Sequence, residues 1–116
     1  MRMNEVSFDG RLPIEGYGPG FFRLGGEVWE GPLLLLPGGP ARWQAGEVSP
    51  ILAARDALDF LLLGTGAEIA HAPAAFRAEI EGAGLGLEVM ATPPAARTYN
   101  VLLSEGRRMA AALLPV

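Results

Sequence analysis

The sequence predicts an α/β fold of three layers, in which a mixed β-sheet combines an N-terminal antiparallel meander with a C-terminal βαβαβ portion. Glycine and proline are concentrated in residues 1–46, where they separate short apolar runs. From residue 47 onwards, strand-like apolar runs alternate with segments that carry helix-start signals. Of the 116 residues, 50% are hydrophobic and only 19% are charged, which suits one folded domain over residues 1–116.

The N-terminal part, residues 1–46, is predicted to be a meander of short antiparallel strands. Turn-forming pairs such as Gly25-Gly26 and Gly31-Pro32 recur at intervals that leave no room for a helix. The strand candidates between the turns are residues 6–8, 21–24, 28–29 and 33–36. We expect these strands either to extend the C-terminal sheet or to cover one of its faces.

The C-terminal part, residues 47–116, is predicted to alternate helices and strands. The helices, each opened by a proline, are expected over residues 50–58, 73–83 and 93–106. Ser49 and Thr92 have side chains typical of N-caps for the first and third helices. The strands are the apolar runs at residues 60–63, 87–91 and 109–114. Because helices connect these strands, we expect the first two to be parallel neighbours in one sheet.

Side-chain spacing predicts which face of each helix is buried. The residues expected to face the core are Ile51, Leu52 and Ala54 in the first helix, Phe76, Ile80 and Ala83 in the second, and Ala95, Tyr99 and Leu102 in the third. Arg77 and Glu81 are spaced to form an ion pair on the solvent side. Arg97, Asn100 and Ser104 share one face of the third helix, which is either a polar patch for a ligand or partner or a solvated surface.

The composition excludes several kinds of chemistry. The net charge of -4 and the pI of about 4.9 argue against nucleic acid as a partner. The absence of cysteine excludes disulfides, thiolate nucleophiles and Cys-ligated metals. All nine basic residues are arginine, so neither a P-loop lysine nor a Schiff-base lysine exists. His71 is the only histidine, which excludes multi-histidine sites, and we expect no cofactor and no transition metal.

Nothing in the sequence predicts a membrane span. Residues 1–5 show no apolar signal core, and the aliphatic run at residues 33–36 is far below the roughly 20 residues of a membrane helix. We therefore expect a cytoplasmic protein. The use of arginine without lysine is typical of a GC-rich bacterial genome.

The predicted ends of two parallel strands form a candidate binding site. Gly64, Thr65 and Gly66 follow one strand, and Thr92 follows the next. Open α/β sheets place ligands at this carboxyl edge, and a helix N-terminus there offers free N–H groups to an anion. Arg97 and Asn100, further along the third helix, complete the predicted site. The alternative is that glycine provides a tight turn and Thr92 caps a helix.

The order of motifs resembles a family of proteins of unknown function. The residues that carry the resemblance are 14–18, 64–66, 88–92, 95–102, 105–108 and 110–113. The stretch from Met90 to Arg107 is specific, because it joins a strand end, a threonine and the Thr98-Tyr99-Asn100 helix in one order. Eukaryotic members of this family include mitochondrial respiratory complex I assembly factor 3 and the adipogenesis-associated domain-containing protein. The resemblance implies a compact three-layer α/β domain and protein partners such as respiratory-complex subunits, and it brings no catalytic residues.

Two functions follow as hypotheses, and an enzyme ranks behind both because few nucleophiles or bases are available. The first is a non-enzymatic binding or assembly protein that acts through the sheet or the third helix. The second is a protein that binds a small anion or nucleotide fragment at the carboxyl edge. An oligomeric form is compatible with either hypothesis.

Overall fold

The computed structural model describes residues 11–116, so the predicted strand at residues 6–8 lies outside the described residues. In chain order the strands are β1 (Gly16–Gly18), β2 (Phe21–Leu24), β3 (Glu27–Glu30), β4 (Leu33–Leu36), β5 (Gly39–Arg42), β6 (Phe60–Thr65), β7 (Gly86–Met90) and β8 (Met109–Leu114). The α-helices are α1 (Ser49–Ala53), α2 (Ala74–Gly82) and α3 (Thr92–Ser104), and a 3₁₀ helix covers Arg55–Ala57. The fold class predicted from the sequence is confirmed.

A five-stranded mixed sheet is the centre of the fold, with strand order β5-β4-β8-β6-β7. β6 is parallel to both of its neighbours, with Leu61 opposite Leu87 in β7 and opposite Ala110 in β8. β4 is antiparallel to β8 and to β5. The prediction that residues 60–63 and 87–91 are parallel neighbours is therefore confirmed.

The N-terminal strands, predicted as a meander that either extends the C-terminal sheet or covers one of its faces, divide between these two roles. β1, β2 and β3 form a separate three-stranded antiparallel sheet. β4 and β5 instead extend the large sheet next to β8. The physical reason lies in β4, whose leucines are apolar on both faces and need cover on both, whereas β2 buries only Phe22 and Leu24.

Alternate residues of the central strands point into two hydrophobic cores, which gives the three layers. On one face, Leu62 and Ala111 pack with α3 and with the three-stranded sheet. On the other face, Leu61 and Ala110 pack with α1 and α2. Because the strands are buried from both sides, their sequences are continuous apolar runs without polar alternation.

The helices are shorter than predicted at several ends. α1 stops at Ala53 and tightens into the 3₁₀ helix, and Ser49 lies inside α1 without a capping hydrogen bond from its side chain. Of the side chains expected to face the core from the first helix, Ile51 is fully buried and the other two are half-buried. In α2 the ion pair is present, with 2.9 Å between Arg77 Nη1 and Glu81 Oε2.

Candidate functional site

The carboxyl edge of the parallel strands is closed by α3 and by the end of β8. β6 continues through Gly64 and Thr65, so these two residues belong to the strand and not to the turn that the sequence suggested. Gly66 then turns the chain with a φ of 103°, a conformation that favours glycine. Its carbonyl oxygen accepts a hydrogen bond from the Thr92 N–H at 2.7 Å, which joins the strand end to the start of α3.

The Thr92 side chain joins two strand ends and does not cap α3. The residue is fully buried. Its hydroxyl donates to the carbonyl oxygen of Leu114 at 2.6 Å and accepts from the N–H of Gly66 at 2.9 Å. The N-cap position is occupied by Ala91, and no side chain caps the helix. The predicted capping role of Thr92 is therefore wrong, because its hydroxyl already bonds to two backbone groups, the buried N–H of Gly66 and the half-buried carbonyl of Leu114.

Gly64 allows this close approach. A Cβ atom at this position would lie 2.8 Å from the Thr92 Oγ1 atom and 2.8 Å from the Leu113 Cδ2 atom. Both distances are below any ordinary van der Waals contact, so only glycine lets β6, β8 and α3 meet. Gly64 thus acts in packing at this edge.

The N-terminus of α3 has no free backbone donor in its first four positions. The Thr92 N–H is bonded to Gly66, and the Ala95 N–H donates to the carbonyl oxygen of Ala91 at 3.1 Å. Between them, Pro93 and Pro94 have no N–H to offer. The expectation that the first N–H groups of this helix lack partners is therefore wrong.

The remaining predicted site residues lie apart from this edge or bind the chain itself. Arg97 is exposed on α3, and within residues 11–116 it has no carboxylate within 4.0 Å. Asn100 lies about 12 Å further along the helix than Thr92, at about 1.5 Å per residue. Its side chain forms two hydrogen bonds of 2.8 Å with the N–H and carbonyl groups of Ile14. Asn100 thereby fixes the N-terminal segment against α3.

A second polar contact strengthens the same attachment. The Arg11 Nη2 atom donates to the carbonyl oxygen of Met109 at 2.8 Å and lies 3.3 Å from the Tyr99 hydroxyl. Burial raises the pKa of the Tyr99 phenol, although the neighbouring guanidinium opposes this change. The polar groups of α3 that face the core thus serve internal contacts.

An apolar cavity of about 280 Å³, which the sequence did not indicate, lies on the face of the sheet that packs against α1 and α2, near the carboxyl ends of β6 and β8. Its aromatic floor is an edge-to-face pair, Trp43 and Phe76, with ring centroids 6.1 Å apart. Thr65 and the exposed His71 lie at its polar side. The Thr65 hydroxyl is already engaged, since it accepts from the Ala70 N–H at 3.1 Å and lies 2.8 Å from the Glu68 carbonyl oxygen. That Trp43 would meet Phe76 could not be read from local spacing.

Residues 14–114 match the family described as "Protein of unknown function (DUF498/DUF598)". The chain belongs to this family. The match confirms the resemblance suggested by the Thr98-Tyr99-Asn100 region.

Two relatives and one solved structure illustrate what the chain is similar to. It is 48% identical to an uncharacterised protein of Rhodobacter capsulatus, over 100% of this chain and 94% of that protein. It is 36% identical to NADH dehydrogenase [ubiquinone] 1 alpha subcomplex assembly factor 3 of Danio rerio, over 88% of this chain and 63% of that protein. A crystal structure described as an outer membrane protein from Bartonella henselae matches with a TM-score of 0.86 and 33% identity, over 91% of this chain and 96% of that chain.

The match to the assembly factors covers only part of their length. The chain spans about three fifths of the length of the assembly-factor relatives it matches, from 60% to 64%. None of the helices in residues 11–116 has the length and apolar character needed to cross a bilayer.

Proposed function

We propose that this chain is a non-enzymatic binding protein that assists the assembly of a multisubunit complex of the NADH dehydrogenase type. The observation that carries the proposal is the 36% identity, across 88% of this chain, to a protein named as an assembly factor for that complex. The similarity includes the α3 region, which holds the most specific motif.

The polar contacts of the described residues support a binding role. The hydroxyl of Thr92, the hydroxyl of Thr65 and the amide of Asn100 all bond to backbone groups of this chain. Residues 11–116 also present exposed apolar side chains, of which Ile69 and Val101 are 68% and 54% exposed. Exposed apolar side chains among polar neighbours are typical of protein-binding surfaces.

The proposal is tested by affinity purification of the tagged chain from the organism that encodes it, together with deletion of its gene. We expect NADH dehydrogenase subunits to be enriched over a purification from an untagged strain. We also expect less fully assembled complex in the deletion strain on native gels. Unchanged complex levels in the deletion strain, with no enrichment of its subunits, would contradict the assembly role.

The second candidate function is the binding of a small anion at the carboxyl edge, by Gly64, Thr65, Gly66, Thr92, Arg97 and Asn100. The exposed guanidinium of Arg97 and the dipole of α3 support it. The backbone does not add donors, since the first N–H groups of α3 are already bonded or absent. Saturable shifts of the Gly66 and Thr92 amides on addition of phosphate would support an anion site.

We also propose that the protein is located in the cytoplasm, which cell fractionation tests.

A further inference from the structure

The five-stranded sheet has two edge strands, β5 and β7, which differ in what they offer to a further strand. An edge strand presents N–H and C=O groups without partners, and proteins commonly guard such an edge with proline or charged residues. Along a strand, successive residues direct their backbone groups to opposite sides. One inward hydrogen bond therefore establishes which residues of an edge strand face outward.

The β5 edge is guarded. The N–H of Trp43 donates to the carbonyl oxygen of Pro32 at 3.1 Å, so Trp43 directs its backbone inward, towards the β4 side. By alternation Ala41 also faces β4, whereas Pro40 and Arg42 face outward. Of the two residues whose backbone groups point outward from β5, Pro40 has no N–H to donate and Arg42 carries a charge, and both features disfavour pairing with a further strand.

The β7 edge is less guarded, since it has no proline and its one charged residue, Glu88, directs its backbone groups towards β6. The N–H of Gly86 donates to the carbonyl oxygen of Asp59 at 3.1 Å, so the backbone groups of Gly86 face β6. By alternation the backbone groups of Glu88 also face β6, and those of Leu87 and Val89 point outward. Both outward residues are apolar. Within residues 11–116, no other strand pairs with this side of β7.

A groove runs beside the same strand, between it and α3. It has a volume of about 320 Å³, and its apolar lining includes Phe60, Met90 and Leu102. Glu88 and Arg107 supply its charged groups. The Arg107 guanidinium lies over the Phe60 ring, 5.4 Å from its centroid, which leaves the Glu88 carboxylate as an exposed negative charge on β7. A strand added to β7 would therefore place alternate side chains over an apolar groove with an acidic group beside it.

We propose that β7 is the docking edge for an extended segment of a partner protein, which pairs with the outward backbone groups of Leu87 and Val89 as a sixth strand. This inference rests on the proposed function, since it names the surface through which a partner binds. Backbone pairing accounts for the extended form of the segment, and side-chain pockets account for its selectivity. The exposed Glu88 favours a segment with a basic residue opposite it.

Charge also argues for a different protein over a second copy of this chain. If β7 of two copies paired antiparallel with Leu87 opposite Val89, the two Glu88 side chains would lie directly opposite each other. Like charges at opposite positions of neighbouring strands are destabilising. The preferred occupant is therefore an alternating apolar segment with a basic residue near its centre.

The test uses the full chain, labelled with ¹⁵N, and two capped synthetic peptides. Both peptides alternate valine and threonine, and they differ only in a central arginine or glutamate. We expect the arginine peptide to slow hydrogen exchange of the Leu87 and Val89 amides by about tenfold or more while leaving the Ala41 amide on β5 unchanged. We expect the glutamate peptide to bind about threefold more weakly, from the usual energy of cross-strand charge pairs.

Two variants make the test specific. Glu88→Arg changes an exposed side chain and is expected to reverse the preference between the two peptides. Val89→Pro removes an outward N–H and is expected to abolish protection of Leu87 by either peptide. Unchanged amide shifts in β8 verify its fold, and if this variant does not fold, the reversal by Glu88→Arg tests the proposal alone.

Several results would overturn the proposal. Slow exchange of Leu87 and Val89 in the free chain would mean that the edge is already covered. Absence of a response to either peptide at millimolar concentration would mean that the edge does not accept a strand. A dimer that Val89→Pro dissociates would make a second copy the occupant. Failure to enrich NADH dehydrogenase subunits counts against the proposed function and leaves these peptide results unaffected.

Discussion

The five-stranded sheet ends differently at its carboxyl edge, around Thr92, and along the outer side of β7. The backbone groups at the carboxyl edge have hydrogen-bond partners, whereas the outward groups of β7 have no strand partner in the described part of the chain. At the carboxyl edge, Thr92 satisfies the backbone of Gly66 and Leu114, and prolines remove the donors that α3 would otherwise leave free. Along β7, the outward groups of Leu87 and Val89 have no strand partner within the described residues. Residue types that suggest a binding site, such as threonine and glycine at a strand end, can instead hold the ends of strands together. An apolar strand without any motif can present backbone N–H and C=O groups that have no strand partner.

We expect the greatest loss of stability from a substitution of Thr92, whose hydroxyl closes the carboxyl edge of the sheet. Thr92→Val keeps the shape of the side chain but leaves the buried Gly66 N–H and the half-buried Leu114 carbonyl without their hydrogen-bond partner. We expect a loss of about 4 kcal/mol in the free energy of unfolding, since each orphaned group costs about 1–3 kcal/mol. Chemical denaturation measures it. Thr92→Ser, which keeps the hydroxyl, is the control, and equal losses in both variants would contradict the closure role.

Proline substitutions along β7 test which of its backbone N–H groups face β6 and which face outward. Glu88→Pro removes an N–H that faces β6, and we expect it to cost about 3 kcal/mol through the lost hydrogen bond and the ring clash. Val89→Pro removes an N–H that faces outward, so we expect a loss of about 1 kcal/mol, mainly from side-chain packing. Thermal and chemical denaturation compare the two. A more destabilising Val89→Pro would show that the assigned directions are reversed.

A single added methyl group tests how tightly the closed edge is packed. Gly64→Ala places a Cβ atom 2.8 Å from both Thr92 Oγ1 and Leu113 Cδ2, and we expect a loss of about 2 kcal/mol from overpacking. Gly16→Ala in β1 is the matched control, since a Cβ atom there would meet nothing within 4 Å. Similar unfolding free energies for the two variants would mean that the edge relaxes without cost.

The smallest effect is expected from anions. With no free N–H in the first positions of α3, we expect phosphate at millimolar concentration to cause only weak, unsaturated shifts near Arg97, and Arg97→Gln to remove them. Amide NMR spectra of the labelled chain measure the response, with chloride at equal ionic strength as the control. Saturable shifts of the Gly66 and Thr92 amides would contradict the closed character of the carboxyl edge and support the anion site.

Strand and helix identities were largely predictable from local pattern. Residues 33–36 and 109–114 are strands with the predicted bounds, because continuous apolar runs between turn signals fit a sheet covered on both faces. The first helix was predicted too long, because Pro50 marks a start but nothing local marked the tightening after Ala53. The short strands β1 and β5 were missed, since glycine and proline within them are also turn signals.

The candidate site was less predictable than the fold. The sequence places Thr92 before two prolines, and an N-cap is the common use of threonine there. Its actual partners, Gly66 and Leu114, lie 26 and 22 positions away along the chain, so no local rule identifies them. Likewise, the spacing of Asn100 with Arg97 indicated a shared polar face, but not that Asn100 bonds to Ile14, 86 positions away.

Local sequence patterns and composition are sufficient to predict the α/β class, the parallel pairing of residues 60–63 with 87–91, and the chemistry that one histidine and no cysteine or lysine exclude. These properties follow from composition and from periodicities that act over a few residues. The long-range contacts of the fold place β4 and β5 in the large sheet, make Thr92 close the carboxyl edge, and direct the backbone groups of Leu87 and Val89 outward. Those features depend on which strands become neighbours, and this is decided by burying both faces of the sheet at once.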